Sequence, residues 1–183
     1  MYADPHGRFL ILDCEFLTTS FTLVNLYAPN TGQIAFLNKL FDSPQYRAQP
    51  FMIVGGDFNL VMSPTRDRQT LLNVSPSKRL TSQTNAFRRC VRSHQLFDSW
   101  RIKHPLSKQF TFYSPAHKMY SRLDHFLISA STIPYVVESD ISPITWSDHA
   151  PIVFTSCFPR PTPGLVTGVL TIIYYNLRVH VQF

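Results

Sequence analysis

A mixed α/β domain is the fold class this sequence predicts, and three observations predict it. Short apolar runs with strand character recur along the chain. Two segments instead carry apolar residues at the three-and-four spacing of amphipathic helices. The two kinds of segment are interspersed, as layered α/β architectures require. At 183 residues the chain is long enough for one domain with a sizeable core. Its 44% hydrophobic and 14% aromatic content excludes a disordered chain.

Phe9 to Cys14 and Phe21 to Tyr27 read as an antiparallel pair joined through Leu17 to Ser20. Ala28-Pro29-Asn30-Thr31-Gly32 breaks the second strand, and a short helix follows with Ile34, Leu37 and Phe41 on one face. Phe51 to Val54 is the next strand, too apolar for an exposed edge. Ser63 to Ser77 is polar and proline-punctuated and reads as a surface loop. Ser82 to Gln95 is the strongest helix, with Phe87, Cys90, Val91 and His94 on one face. His94 fits the boundary of that face better than a ligand position, and Trp100 beyond it suits a core anchor. Phe110 to Tyr113, Leu123 to Ile128 and Ile152 to Phe154 complete the strands. Pro159-Arg160-Pro161-Thr162-Pro163-Gly164 marks a boundary, giving a domain over 1–158 and a tail over 159–183. Leu165 to Tyr175 is apolar but shorter than the roughly 20 residues of a membrane span. Leu177 to Phe183 alternates like a half-buried strand.

The formal net charge is +6, compatible with a polyanionic partner, yet charged residues total only 15%. The sharpest basic cluster is Lys78, Arg79, Arg88, Arg89 and Arg92, which reads first as a solvated helix face. Cys14, Cys90 and Cys157 are odd in number and far apart, which fits a reduced intracellular chain rather than a disulfide framework. No cysteine pair has metal-ligand spacing. The first eight residues carry no apolar signal region.

Four polar clusters each close an apolar strand: Tyr27-Ala28-Pro29-Asn30, Asp57-Phe58-Asn59, Ser121-Arg122-Leu123-Asp124-His125 and Ser147-Asp148-His149. Strand ends are where sites assemble from distant sequence. In strand-like backbone Asp57 and Asn59 would project to the same side. An acid and an amide converging there suit a site that orients water and holds a phosphate oxygen. Each cluster alone has an ordinary reading, since Asp-x-Asn is common in turns and Tyr27 could be a plain strand aromatic. The ordered set is far more specific.

Together with Asp4-Pro5-His6-Gly7-Arg8, Thr111-Phe112-Tyr113-Ser114 and Ala150-Pro151, these residues resemble the endonuclease/exonuclease/phosphatase superfamily, the DNase I-like fold. Within it the sequence is most similar to the endonuclease domain of LINE-type non-LTR retrotransposons. The resemblance runs from about Asp4 to Phe154. It implies a sandwich of two mixed sheets flanked by helices, DNA as partner, Mg²⁺ as cofactor and a nuclear site of action. It also implies a parent polyprotein with a reverse transcriptase domain. By the same resemblance, Asp57 would orient and activate the attacking water, and Asn59 would hold it or a phosphate oxygen. Asp148 would belong to the metal-facing acids. His149 would contact the scissile phosphate while Asp124 accepts a hydrogen bond from its other nitrogen. Tyr27 would donate to the phosphate. Asn30, Thr111 and Ser147 would lie along the DNA backbone, with Arg122, Arg66 and Arg68 as further phosphate contacts. His125 would face away from the site.

The resemblance also implies upstream strands carrying an Asn and a metal-binding Glu, so an N-terminally truncated domain is expected. Glu15 and Glu138 are the two glutamates present, and neither has the family context. Weakened Mg²⁺ binding and impaired cleavage follow as expectations. Loss of those strands would bare a sheet edge, which the tail either fills or leaves as unrelated sequence. The other readings are a noncatalytic nucleic-acid-binding remnant and a phosphatase of the same superfamily.

Overall fold

The computed structural model describes residues 1–44, 46, 49–70, 77–145, 147–158, 168–175 and 178–182. The expected boundary segment Pro159 to Gly164, and positions 71–76 of the expected loop, lie outside the described residues.

The central sheet has six strands in the order β1 (Tyr2–Ala3), β2 (Phe9–Phe16), β3 (Thr19–Tyr27), β4 (Met52–Asp57), β9 (Asp124–Ser129) and β6 (Leu96–Asp98). The expected β2–β3 hairpin is present, with Leu17 at φ 60° in its turn. Helix α1 (Gln33–Phe41) then carries the chain across to β4, which runs parallel to β3. Such a crossover is what a parallel neighbour requires. Every residue of β4 is buried, as its apolar run predicts. β9 pairs antiparallel on the far side of β4.

Helix α2 (Lys78–Ser93) begins four residues before the expected start, because Ser77 caps it by accepting the Leu80 N–H at 3.2 Å. Its inner face (Thr84, Phe87, Cys90 and Val91) packs with α1 residues Leu37, Leu40 and Phe41 on one face of the central sheet. His94 lies at the helix end, stacked on Phe41, and accordingly is a boundary residue. The short helix α3 (Ser99–Lys103) buries Trp100 in the opposite core.

That opposite core lies between the central sheet and a four-stranded sheet ordered β10 (Val136–Ile141), β11 (Ile152–Ser156), β12 (Leu170–Tyr175) and β13 (Arg178–Gln182). Phe21, Leu23, Ile53, Phe126 and Ile128 from one side meet Phe154, Leu170, Ile172 and Tyr174 from the other. The layers are therefore helix, sheet and sheet. A small third sheet, β5 (Arg68–Thr70), β8 (Met119–Ser121) and β7 (Phe112–Ser114), stands beside the strand ends. A 3₁₀ helix over Ala130–Tyr135 links β9 to β10.

One expectation changes, and two further placements follow. Arg68–Thr70 is a strand rather than loop, because β8 supplies its backbone partner. Glu138 lies within β10, exposed on the sheet's outer face. The second sheet also crosses the boundary drawn at 158. β12 pairs residue for residue with β11, and its alternate side chains Leu170, Ile172 and Tyr174 are buried. The expected alternating strand near the C-terminus appears as β13, paired with β12.

Candidate active site

Sheet register brings the site together. Tyr27 on β3 is the partner of Asp57 on β4, and Asp57 is the partner of Asp124 on β9. Directly opposed residues project to the same face, so the three side chains form one row at the sheet end, facing the second sheet. Two carboxylates opposed across strands repel, and no packing argument calls for them.

Asp57 is followed by a tight reversal in which Asn59 takes φ 50°. The Asn59 N–H donates to Asp57 Oδ1 at 2.8 Å, and its side-chain amide donates to the Ala28 carbonyl at 2.8 Å. The same-side expectation for this pair rested on strand geometry, which ends at Asp57. The turn nevertheless leaves both side chains lining one cleft of about 430 Å³. Gly56 takes φ 143° immediately before, and a Cβ there would collide with the Leu26 backbone.

His149 reaches the row from the segment before β11. Its Nδ1 lies 2.8 Å from Asp124 Oδ2, and its ring packs on Phe112 at 4.8 Å. A backbone bridge between Phe112 and His149, with the Ala150 N–H donating to the Thr111 carbonyl at 2.7 Å, fixes this segment. Burial disfavours the charged imidazole, but Asp124 outweighs it through the hydrogen bond and its charge. Asp57 and Asp148 add to this, so the His149 pKa lies above its ordinary value. For Asp57, burial pushes the carboxyl up to about 7, and Asp124 reinforces the rise.

The carboxylate and imidazole ligand atoms of Asp57, Asp124 and His149 all lie within 4.8 Å of one another. Asp124 Oδ1 is buried and has no hydrogen-bond partner. Two converging carboxylates, one with an orphaned oxygen, fit a hard divalent cation.

An opposed acid pair, a histidine oriented by one acid and an amide turn at the end of a two-sheet sandwich are the arrangement the sequence resemblance implies. A profile described as Endonuclease/Exonuclease/phosphatase family matches residues 2–149. The chain belongs to the endonuclease/exonuclease/phosphatase family. Over 148 residues it is 30% identical to the "Transposon TX1 uncharacterized 149 kDa protein" of Xenopus laevis, a match covering 78% of this chain and 11% of that protein. Among solved structures, an AP endonuclease from Archaeoglobus fulgidus matches with a TM-score of 0.62 at 18% identity, over 81% of this chain and 64% of that one. An AP endonuclease from Leishmania major gives 0.57 at 20%, over 80% and 53%. A 3′ phosphatase from Neisseria, bound to product DNA hairpin, gives 0.56 at 18%, over 81% and 64%. At these identities the structural likeness is one of fold. The chain spans about a tenth of its transposon relative and between half and two thirds of the solved neighbours.

Within this family member, Tyr27, Asn30, Asp57, Asn59, Asp124, Ser147, Asp148 and His149 of the sequence-derived set line the cleft. Asp148 is exposed at its rim, accepting the Ser147 hydroxyl at 3.1 Å, and stands outside the three-residue ligand cluster. Asp124, rather than Asp148, is the second acid of that cluster.

Two of the expected DNA contacts belong to the scaffold. Thr111 is fully buried, and its hydroxyl accepts the N–H groups of Leu123 and Asp124 at 2.9 and 3.1 Å. Arg122 is also fully buried. Its guanidinium bonds Asp67 Oδ1 at 3.1 Å, Asp98 Oδ2 at 2.6 Å and His125 Nδ1 at 2.9 Å, so it is held inside the protein and not presented to DNA. Its role is to fix the turn into β9. His125 faces away from the site, donating to or accepting from its neighbours in the helix-side core beside Phe58 and Phe87. Arg66 and Arg68 do not line the cleft; Arg66 donates to the Pro105 carbonyl. Glu15 and Glu138 are exposed and away from it.

Sequence reading missed Tyr174 and Tyr175, which line the cleft from β12. Tyr174 is buried, and burial followed by the charges of Asp124 and Asp57 raises its phenol pKa. The Tyr175 hydroxyl is buried without a partner. The apolar run Leu165 to Tyr175 was the available signal. Arg8 was also missed: the buried Asp4 carboxylate accepts the His6 and Arg8 N–H groups, and this turn sets the Arg8 guanidinium 5.0 Å over the Tyr27 ring.

Proposed function

We propose that this chain is a DNA phosphodiesterase domain that uses Mg²⁺ and turns over slowly. The observation that carries the reading is the His149–Asp124 pair facing Asp57 and Asn59 across one cleft. Asp57 faces the cleft where an attacking water would sit, and its carboxylate can accept that water's proton. The second amide hydrogen and the carbonyl oxygen of Asn59 are left to orient that water or a phosphate oxygen. His149 donates through Nδ1 to Asp124, whose carboxylate favours the imidazolium, and in that form its Nε2–H can donate to a phosphate oxygen as negative charge grows there. Tyr27 supplies a phenol donor from the same row, with Asn30 and Ser147 at the rim for the flanking backbone. Asp57 and Asp124 would hold the cation through carboxylate oxygens, with Asp148 available through water. Bound there, Mg²⁺ supplies charge neutralisation for the phosphate.

Slow turnover follows from the ligand set. Among the described residues the cluster offers two carboxylates and one imidazole, a small set for a hard cation, and several kcal/mol less charge stabilisation would cost several factors of ten in rate. Supercoiled plasmid incubated with Mg²⁺ tests the reading: slow nicking is expected, abolished by Asp57→Ala and by EDTA. Nicking that persists in Asp57→Ala, or wild-type protein with no nicking at any Mg²⁺ concentration, overturns it. The location of the AP endonuclease and 3′ phosphatase neighbours in one fold makes abasic-site duplex and 3′-phosphorylated duplex the natural comparison substrates.

A further inference from the structure

Helix α2 accumulates positive charge in a way that fold stability does not ask for. Its 16 residues include Lys78, Arg79, Arg88, Arg89 and Arg92, and no acid. Solvated helix faces ordinarily mix signs, because opposite charges four apart stabilise and like charges destabilise. Here Arg88 and Arg92 are a like-charged pair at that spacing. Lys78 and Arg79 stand in the first turn, at the positive end of the helix dipole, where cations are unfavourable and acids are preferred. All five side chains are exposed.

The surroundings extend the pattern. Lys78 and Arg89 line a shallow depression along one side of the helix. Arg88 and Arg92 line a cleft of about 490 Å³ along the other, shared with Arg66 and Arg101. The acids in that cleft, Asp67 and Asp98, are already neutralised by Arg101 and the buried Arg122. Among the described residues, the Arg88 and Arg92 side chains make no ion pair or hydrogen bond. Phe97 lies in the same cleft with 43% of its surface exposed. Unpaired arginines beside an exposed aromatic ring are what a phosphodiester strand with stackable bases requires. The cleft shares no lining residue with the candidate active site.

We propose that the α2 face and its adjoining cleft bind the backbone of a nucleic-acid strand, with Phe97 as a stacking surface, independently of hydrolysis at Asp57. Fluorescence anisotropy of labelled single-stranded DNA and RNA, in EDTA and across a salt series, tests this. Arg88→Gln with Arg92→Gln is expected to weaken binding about tenfold at low salt and to lower the slope of log K against log salt by roughly 1–2. Phe97→Ala is expected to weaken binding with the slope unchanged. Lys78→Gln with Arg79→Gln should weaken binding while raising the melting temperature, since it relieves the dipole conflict; a purely structural role would not separate the two. The exposed Lys39→Gln is expected to leave the slope as in wild type. Relative affinity for the DNA and RNA strands assigns the sugar. Wild-type protein that binds neither strand at low salt, or α2 variants that fold and keep the wild-type slope, overturns the proposal.

Discussion

Asp57 illustrates how a residue's surroundings set its chemistry. Burial and the opposed Asp124 raise its carboxyl from 3.8 to about 7. A carboxyl raised in the folded state stabilises the fold when protonated. That contribution is fully present below the unfolded value near 4 and is lost as pH rises through about 7. Metal-free protein is therefore expected to lose melting temperature between pH 4 and 8. Asp57→Asn keeps an oxygen to accept the Asn59 N–H, so it should flatten this loss and stabilise the apo protein at pH 8 by roughly 1–3 kcal/mol. Thermal melts over pH with EDTA check it; a variant less stable than wild type at pH 8 would refute the like-charge account. Arg122 makes the opposite case. Burial disfavours its charge and would raise the carboxyl of Asp98, but the pair's mutual attraction prevails and holds Asp98 well below the usual carboxylate range. Sequence showed Asp57 and Asp124 as site residues through their motifs. It could not show that Arg122, in the same motif as Asp124, is turned inward, since both outcomes share one local sequence.

At the scale of elements, β12 is the informative one. The sequence showed only an apolar run there, and the structure buries its alternate residues Leu170, Ile172 and Tyr174. What it pairs with was not visible, because strand partners are chosen by long-range packing rather than local preference. Ile172 is fully buried between the sheets, so Ile172→Ala is expected to cost about 2–4 kcal/mol. Tyr175→Phe removes a buried, unpartnered hydroxyl and is expected to be neutral or stabilising by up to about 1 kcal/mol. Urea unfolding of both variants tests whether this strand is part of the cooperative fold; an Ile172→Ala midpoint equal to wild type would separate it from the domain. The short strands β5, β6 and β8 escaped sequence reading because three residues carry too little periodicity.

For the whole molecule, two cores share the central sheet, and the buried Asp67–Arg122–Asp98 cluster joins the loop before β5, the end of β6 and the start of β9. Removing its cation strips the buried Asp98 of its guanidinium and leaves Asp67 with Arg101 alone. Arg122→Met is accordingly expected to destabilise the protein by about 3–5 kcal/mol and to lower activity only through the displaced Asp124. Because the Asp98 carboxyl is depressed, its stabilisation is present above about pH 4 and lost as pH falls below that. Acid unfolding of wild type should steepen there, and a melting temperature indifferent to pH between 5 and 2 would contradict the assignment.

The sequence by itself determined the alternation of strand and helix, the buried β4, the amphipathic face of α2 and the polar clusters at strand ends. These are local signals, carried by periodicity and by turn residues. Only the tertiary structure decided that Tyr27, Asp57 and Asp124 share one register row, that Thr111 and Arg122 serve the scaffold, and that β12 walls the site. Register, burial and partner choice depend on contacts between residues far apart in the chain, where a single local motif is compatible with either outcome.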